Sequence, residues 1–334
     1  MKNHPSTNAA GTASGAGSIA DVPGIQVGHA QDSEARTGCT VLLCGREGAV
    51  AGVDVRGAAP GTRETDLLDP SNLVDRVHAI VMTGGSVFGL DSACGVVRFL
   101  EERGIGYDTG AARVPIVPAA VIYDLGVGKA HVRPDSAMGY EACQRASDRE
   151  VREGQIGAGA GATVGKIIGH DHASPGGVGT ASIKLRDGAT VGVLVVVNSF
   201  GDIVDPATGE ILAGARRPDA SGWLDTLSEL AQAPSDVGSV KPGSKSFPGI
   251  ENTTLAVVAT DAAFSKAQAR RIASMAHDGL ARAIRPVHTM FDGDTVFALS
   301  TGKARSDVTT VGAVAADLIS TAIARVGRDS RLTP

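Results

Sequence analysis

Residues 255–260 (LAVVAT) form an unbroken apolar run, entered directly from Asn252-Thr253-Thr254 and preceded by a loop of Pro, Gly, Ser and Lys. Bounded by turn residues, such a run reads as a buried strand. The strand constrains what lies beside it. A threonine at its mouth has little room to move, while the loop before it is free. That layout suits a chain that cuts itself between Asn252 and Thr253 and then uses the new N-terminus. Thr253 would supply both a nucleophile, its hydroxyl, and a general base, the freed α-amine. An α-amine titrates near ~8, so much of it can accept a proton near neutrality. Local sequence alone favours a plainer reading, in which Thr-Thr opens a strand through β-propensity.

The 334 residues are 43% hydrophobic but only 3% aromatic, and 44 are glycine. There is enough chain for a large core, built from Val, Ala, Leu and Ile with closely approaching backbones. A net charge of −5 with scattered Lys and Arg gives no nucleic-acid footprint. No apolar run approaches the ~20 residues of a membrane span. Residues 1–18 are Ser/Ala/Gly-rich, lack the apolar centre of a signal peptide and read as a disordered tail. Cys39, Cys44, Cys94 and Cys143 form no C-x-x-C pair. In a chain without an export signal they read as free, mostly buried thiols, and the expected location is cytoplasmic.

Strands are expected over 19–29, 40–44, 49–55 and 78–83, with a polar loop at 58–70 carrying Arg63, Glu64, Asp66 and Asp69. The loop is either solvated or part of a cleft. Gly84-Gly85-Ser86 leads into an expected helix over 87–103. As a G-x-S-x-G nucleophile elbow it fails, because Phe88 stands where the last glycine belongs; close packing of helix on strand is preferred. Tyr123 lies in an apolar surround within 114–125, and 135–149 fits a helix capped by Asp135 or Ser136.

The segment 154–169 (GQIGAGAGATVGKIIG) fails as a P-loop, with Ala160 and Ile167 where glycine and a hydroxyl are needed. It also fails as a dinucleotide fingerprint, having no strand before it. What remains is a glycine-rich backbone passing close to something, with Lys166 partly buried among Val164, Ile167 and Ile168 and its pKa lowered. Strands over 180–185 and 190–197 follow. Asn198 at the end of the second is either a turn residue or an amide aimed at an oxyanion. A short helix over 223–233 precedes a linker at 234–251; a helix capped by Ser265 spans 265–284, and a final one 311–325. His277 on the first of these reads as structural. Asp292-Gly293-Asp294 is a tight acidic turn into a buried strand, a hairpin turn rather than a metal site.

Eight segments in order resemble one family, the DmpA-type L-aminopeptidase/D-amidase-esterases with their β-aminopeptidase and NylC nylon-oligomer hydrolase relatives. They are DVPGIQVGH, GAVAGVDVRGAAPGTRETDLLDP, TGGSVFGLDSACGV, VPAAVIYDL, GAGAGATVGK, VLVVVNSFGDIVD, NTTLAVVATDA and MAHDGLARAIRPVHTMFDGDTVFALSTG. The resemblance implies an α/β fold, an αββα sandwich similar to that of ornithine acetyltransferase. It implies a single catalytic domain over 19–330, self-cleaved between Asn252 and Thr253 into α (1–252) and β (253–334) chains, with 234–252 as the linker. The pairs would assemble as a homotetramer of heterodimers. By motif, Thr253 matches the nucleophile, and its being threonine rather than serine looks more like NylC. Tyr123 and Asn198 match residues that hold the developing oxyanion; Lys166, Asp292 and Asp294 match those that position and tune the nucleophile.

The expected reaction is hydrolysis of a small peptide or amide through an acyl-enzyme, with no metal or organic cofactor and with neither nucleic acid nor membrane as partner. The substrate is an N-terminal L-, D- or β-amino acyl group or a 6-aminohexanoate oligomer. For an exopeptidase, Asp124, Glu64 and Asp66 are candidates to hold the substrate ammonium. Two alternatives stand beside this reading: an acyltransferase of the ornithine acetyltransferase type, and an uncleaved, non-enzymatic binding protein of the same fold.

Overall fold

In the computed structural model, which describes residues 17–232 and 252–330, two sheets face each other. The first has five strands in the order Gln26–Asp32, Thr37–Leu43, Ala79–Thr83, Ala119–Val121 and Thr62–Arg63. The second has six: Gly177–Lys184, Thr190–Asn198, Thr253–Ala262, Thr295–Ala304, Ala49–Val55 and Arg76–Val77. The expected linker at 234–251 and residues 1–16 of the expected tail lie outside the described residues. Residues 17 and 18 do not belong to a tail: the Ser18 N–H donates to Asp21 Oδ2 at 2.9 Å, opening a 3-10 turn, Ile19–Asp21.

Alternation along the buried strands sorts side chains into layers. Val193, Val195, Val197, Ala256 and Val258 meet two helices, α4 (Lys266–Ala283) and α5 (Val308–Ser330). Their neighbours Leu194, Val196, Leu255 and Val257 point the other way, onto Leu42, Ile80 and Met82 of the five-stranded sheet. The far face of that sheet, with Cys39, Val41 and Val81, is covered by α1 (Ser92–Glu101) and α2 (Ser136–Gln144). Helix, sheet, sheet, helix: the molecule is an αββα sandwich. Small residues make the layers close. A Cβ on Gly279 of α4 would lie 2.3 Å from the Ala316 carbonyl of α5, so the two helices touch backbone to backbone there. That is how a core with few aromatics fills its volume.

Several elements differ from expectation. The strand expected over 19–29 starts only at Gln26, after the Pro23-Gly24 turn, and runs on to Asp32. The helix expected over 87–103 begins as a 3-10 turn, Ser86–Asp91, because Gly85 and Ser86 both take left-handed φ (79° and 54°). Gly89 packs so closely that a Cβ there would sit 1.8 Å from the Gly84 carbonyl, which supports the close-packing reading of this turn. The helix expected over 223–233 is a shorter α3, Thr226–Gln232. α5 starts earlier than expected because Asp307 Oδ1 accepts the Thr310 N–H at 2.9 Å. By length and composition α5 is apolar enough to cross a bilayer, yet 67% of its most apolar window is buried in the sandwich.

Two strand registers prepare the site. Thr190–Asn198 runs antiparallel to Thr253–Ala262 and places Asn198 opposite Thr253. Thr295–Ala304 runs parallel to the same strand, with Leu255 opposite Thr295, the connection being α4. A bridge between Asn252 and Asp292, three residues before that pair on both strands, keeps the same register. Three strand ends therefore meet at one edge of the inter-sheet layer.

Candidate active site

Thr253 begins its strand almost wholly buried, and Asn252 before it is equally enclosed. With the peptide bond between them intact, Thr253 Oγ1 donates to the Asn252 carbonyl oxygen at 2.5 Å. The same oxygen accepts the Gly293 N–H at 3.0 Å. Only glycine fits at 293: a Cβ there would lie 2.8 Å from Thr253 Oγ1 and 2.7 Å from the Ala59 carbonyl. The hydroxyl is thus held against the carbonyl of the preceding residue, and a backbone donor already points at that oxygen.

Asn198 and Thr253, as directly paired residues, project from the same face of the sheet, into the inter-sheet layer. Asn198 is fully buried and its side chain is a hub. Its Oδ1 accepts from Lys166 Nζ at 2.9 Å and from the Thr163 N–H at 3.0 Å, and its Nδ2 donates to the Tyr123 carbonyl at 3.1 Å. Lys166 is not partly but completely buried, and its ammonium also donates to the Asn198 carbonyl at 3.0 Å. A buried ammonium between two oxygens meets the requirement that buried charge be hydrogen-bonded. The glycine-rich run before Lys166 passes against Arg36 and Asp124: a Cβ at Gly161 would lie 2.1 Å from the Arg36 carbonyl and 2.8 Å from the Asp124 side chain.

The acidic turn braces the other side. Asp294 Oδ1 accepts the Thr254 N–H at 2.6 Å, and Oδ2 accepts from the His288 N–H at 3.1 Å and its ring Nδ1 at 2.7 Å. Asp292 Oδ2 accepts from Thr289 (N–H 2.9 Å, hydroxyl 2.5 Å), and Oδ1 from the Phe200 N–H at 3.3 Å. Burial, and then the neighbouring Asp294 charge, push the Asp292 carboxyl up to about 6. His288 sits at φ 54° and packs edge-on against His277, ring centroids 4.8 Å apart. His277 is buried, bonded to the Asp54 carbonyl at 2.9 Å and lowered to about 4 by burial, in line with a structural role.

The structure therefore brings together Asn252, Thr253, Lys166, Asn198, Tyr123, Asp292 and Asp294. Tyr123 is half-buried, and the contact that ties it to Asn198 is made by its carbonyl. Of the three ammonium candidates, Asp124 lies beside the site but its oxygens accept from the Gly85 N–H and the Thr37 hydroxyl, both at 2.7 Å; burial raises its carboxyl. Glu64 accepts the Val117 N–H at 3.1 Å, and Asp66 is exposed. Neither has a described contact with Thr253. Sequence reasoning missed Gly293, His288, Thr289 and Thr163. Of these only His288 carried a signal, an ionisable residue six positions before Asp294.

The profile of peptidase family S58 matches residues 17–329. An uncharacterized aminopeptidase of Mycobacterium tuberculosis (strain ATCC 25618 / H37Rv) is 48% identical across 92% of either chain. The chain belongs to peptidase family S58. A 6-aminohexanoate-oligomer endohydrolase of Kocuria sp. (strain KY2) is 32% identical over 90% of this chain and 82% of its own. Among solved structures, the L-aminopeptidase D-Ala-esterase/amidase of Ochrobactrum anthropi, described as a variant of the Ntn hydrolase fold, superposes with a TM-score of 0.67. It covers 93% of this chain and 85% of its own at 19% identity, which is a likeness of fold. Membership in this family makes the chain a hydrolase and bears out the DmpA-type resemblance read from its sequence.

Proposed function

We propose that the chain is an autoprocessed N-terminal-threonine amide hydrolase working through an acyl-enzyme. The observation that carries this reading is the Thr253 hydroxyl seated on the Asn252 carbonyl, with the Gly293 N–H on the same oxygen. In maturation, Thr253 Oγ bonds to the Asn252 carbonyl carbon and the Oγ proton passes to the Thr253 nitrogen as the C–N bond breaks. The Gly293 N–H takes the charge that builds on the carbonyl oxygen. Water then hydrolyses the ester between Asn252 and Thr253, leaving the Asn252 carboxylate and freeing the hydroxyl beside the α-amine that the shift had already released.

In turnover the same hydroxyl attacks a substrate amide, and the α-amine takes its proton and returns one to the departing amine. Asn198 and Tyr123 flank the place where the oxyanion forms, a contribution worth ~3 kcal/mol per donor in acyl-transfer enzymes. A cationic Lys166, bonded to the residue opposite Thr253, disfavours protonation of that amine. Water releases the acid. The mature protein is a tetramer of cleaved pairs in this reading, to be checked by its mass in solution.

The test is whether purified protein runs as two pieces on a denaturing gel while Thr253→Ala stays whole and inactive. A fully active, uncut protein would sink the mechanism. A panel of amino-acid p-nitroanilides beside 6-aminohexanoate oligomers identifies the acyl group, and product partition with and without an added amine separates hydrolysis from acyl transfer.

A further inference from the structure

A cavity of about 450 Å³ opens beside the site, lined by Arg36, Gln155, Thr163, His170, Asp171 and Arg216 among others. Thr163 joins the two: its N–H is on Asn198 Oδ1, and the residue is part of the cavity lining. That residue is 7% exposed, and its Oγ1 is buried without a hydrogen-bond partner. Buried hydroxyls are normally satisfied, so this one marks a place where a polar group belongs.

The two arginines make the cavity cationic. Both are half-buried, and among the described residues neither guanidinium forms an ion pair or hydrogen bond. Asp171, the one acid in the lining, is exposed. Arg36 is held at φ 53°, a left-handed conformation unusual for a long side chain, with its carbonyl pressed on Gly161 and that of Ala35 on Gly128. Backbone strain of this kind collects at ligand sites. The Arg216 N–H is on the His172 carbonyl at 2.8 Å, so the loop presenting it is fixed to the turn that bears His170 and Asp171. A planar guanidinium pair with a hydroxyl donor is the donor set of a carboxylate subsite.

We propose that this cavity binds the free carboxylate of the substrate, and so selects short peptides or ω-amino-acid oligomers over neutral amides. The inference rests on the amide-hydrolase reading above. In such a substrate the free carboxylate belongs to the fragment that departs as the amine. The subsite therefore acts before and during acylation and leaves deacylation alone.

The linear 6-aminohexanoate dimer and its C-terminal amide, hydrolysed by the parent, Arg36→Gln and Arg216→Gln proteins, test the proposal. In the parent the acid has a KM about tenfold below that of the amide, with kcat similar. Each glutamine variant raises the KM of the acid about fivefold to tenfold and leaves the amide unchanged. Calorimetric titration of the same proteins with 6-aminohexanoate and with hexylamine adds a readout that needs no turnover. The parent binds the acid at least about tenfold more tightly, and Arg36→Gln/Arg216→Gln abolishes the difference. Equal KM values together with equal affinities in the parent overturn the subsite. So does a preference that survives both substitutions. No turnover of either dimer with the titration difference intact overturns these oligomers as substrates and leaves the subsite standing.

Discussion

The strand that begins at Thr253 is buried along nearly its whole length, but its first two residues and the five that follow are buried for different reasons. Residues 255–259 alternate between the helix layer and the inter-sheet layer, and their neighbours are apolar side chains. Thr253 and Thr254 are equally enclosed, yet each is held by named polar contacts: a hydroxyl on the Asn252 carbonyl, an N–H on Asp294. The apolar stretch is held by area, which any side chain of similar volume supplies. The polar end is held by directions, which few replacements keep. Burial alone does not separate structure from function here; the geometry of polar contacts does.

The largest effect expected from disturbing that geometry, short of removing the nucleophile, is at Gly293. In Gly293→Ala the new Cβ meets Thr253 Oγ1 and the Ala59 carbonyl inside 3 Å, so the turn shifts and its N–H leaves the Asn252 oxygen. Self-cleavage, followed by gel densitometry, should slow by roughly 10²–10³-fold, the usual loss for one oxyanion donor. Cleavage at the parental rate would remove Gly293 from the account.

Acidity should divide the two regions next. Asp292 titrates at about 6, and its ionised form accepts the three bonds that fix the turn and Phe200. Activity is therefore expected to fall about tenfold per pH unit below about 6, a limb that Asp292→Asn removes. The stability linkage runs the other way. A carboxyl raised above its unfolded value contributes stability that is full below about 4 and is lost as pH rises through about 6. Relative to Asp292→Asn, the parent should therefore gain stability in unfolding titrations as pH falls from about 6 to about 4, and hold that gain below about 4. An acid limb that persists in the variant would assign the titration elsewhere.

On the apolar side, Val258→Ala deletes two methyl groups packed under α4 and α5 and should cost about 2–3 kcal/mol in denaturant unfolding. The cleavage rate should not change. The smallest effect is expected at Thr254→Val. The Thr254 hydroxyl is buried without a partner, and its removal should leave stability equal or raise it by up to ~1 kcal/mol. A large loss in either property would show that the hydroxyl has a function.

The division between the regions also explains what the sequence revealed. Residues 190–197 and 255–260 announced themselves as buried strands because apolar side chains carry the signal, and Ser265 announced the start of α4. Asn252, Thr253, Lys166, Asn198, Asp292 and Asp294 became legible only as an ordered set, since each has an ordinary structural reading when taken alone. Gly293, Thr163 and the Tyr123 contact stayed hidden for a different reason. They act through backbone N–H and carbonyl groups, which every residue has, and only the register places them. The 3-10 turn at Ser86–Asp91 was missed because its apolar spacing also fits an α-helix; the left-handed backbone at 85 and 86 decides it.

The most direct measurement is the intact mass and N-terminal sequence of the purified parent beside Thr253→Ala. The parent should give two chains, the smaller beginning Thr-Thr-Leu-Ala at Thr253, and the variant one chain without activity. A parent that hydrolyses amides as a single uncut chain would contradict the account.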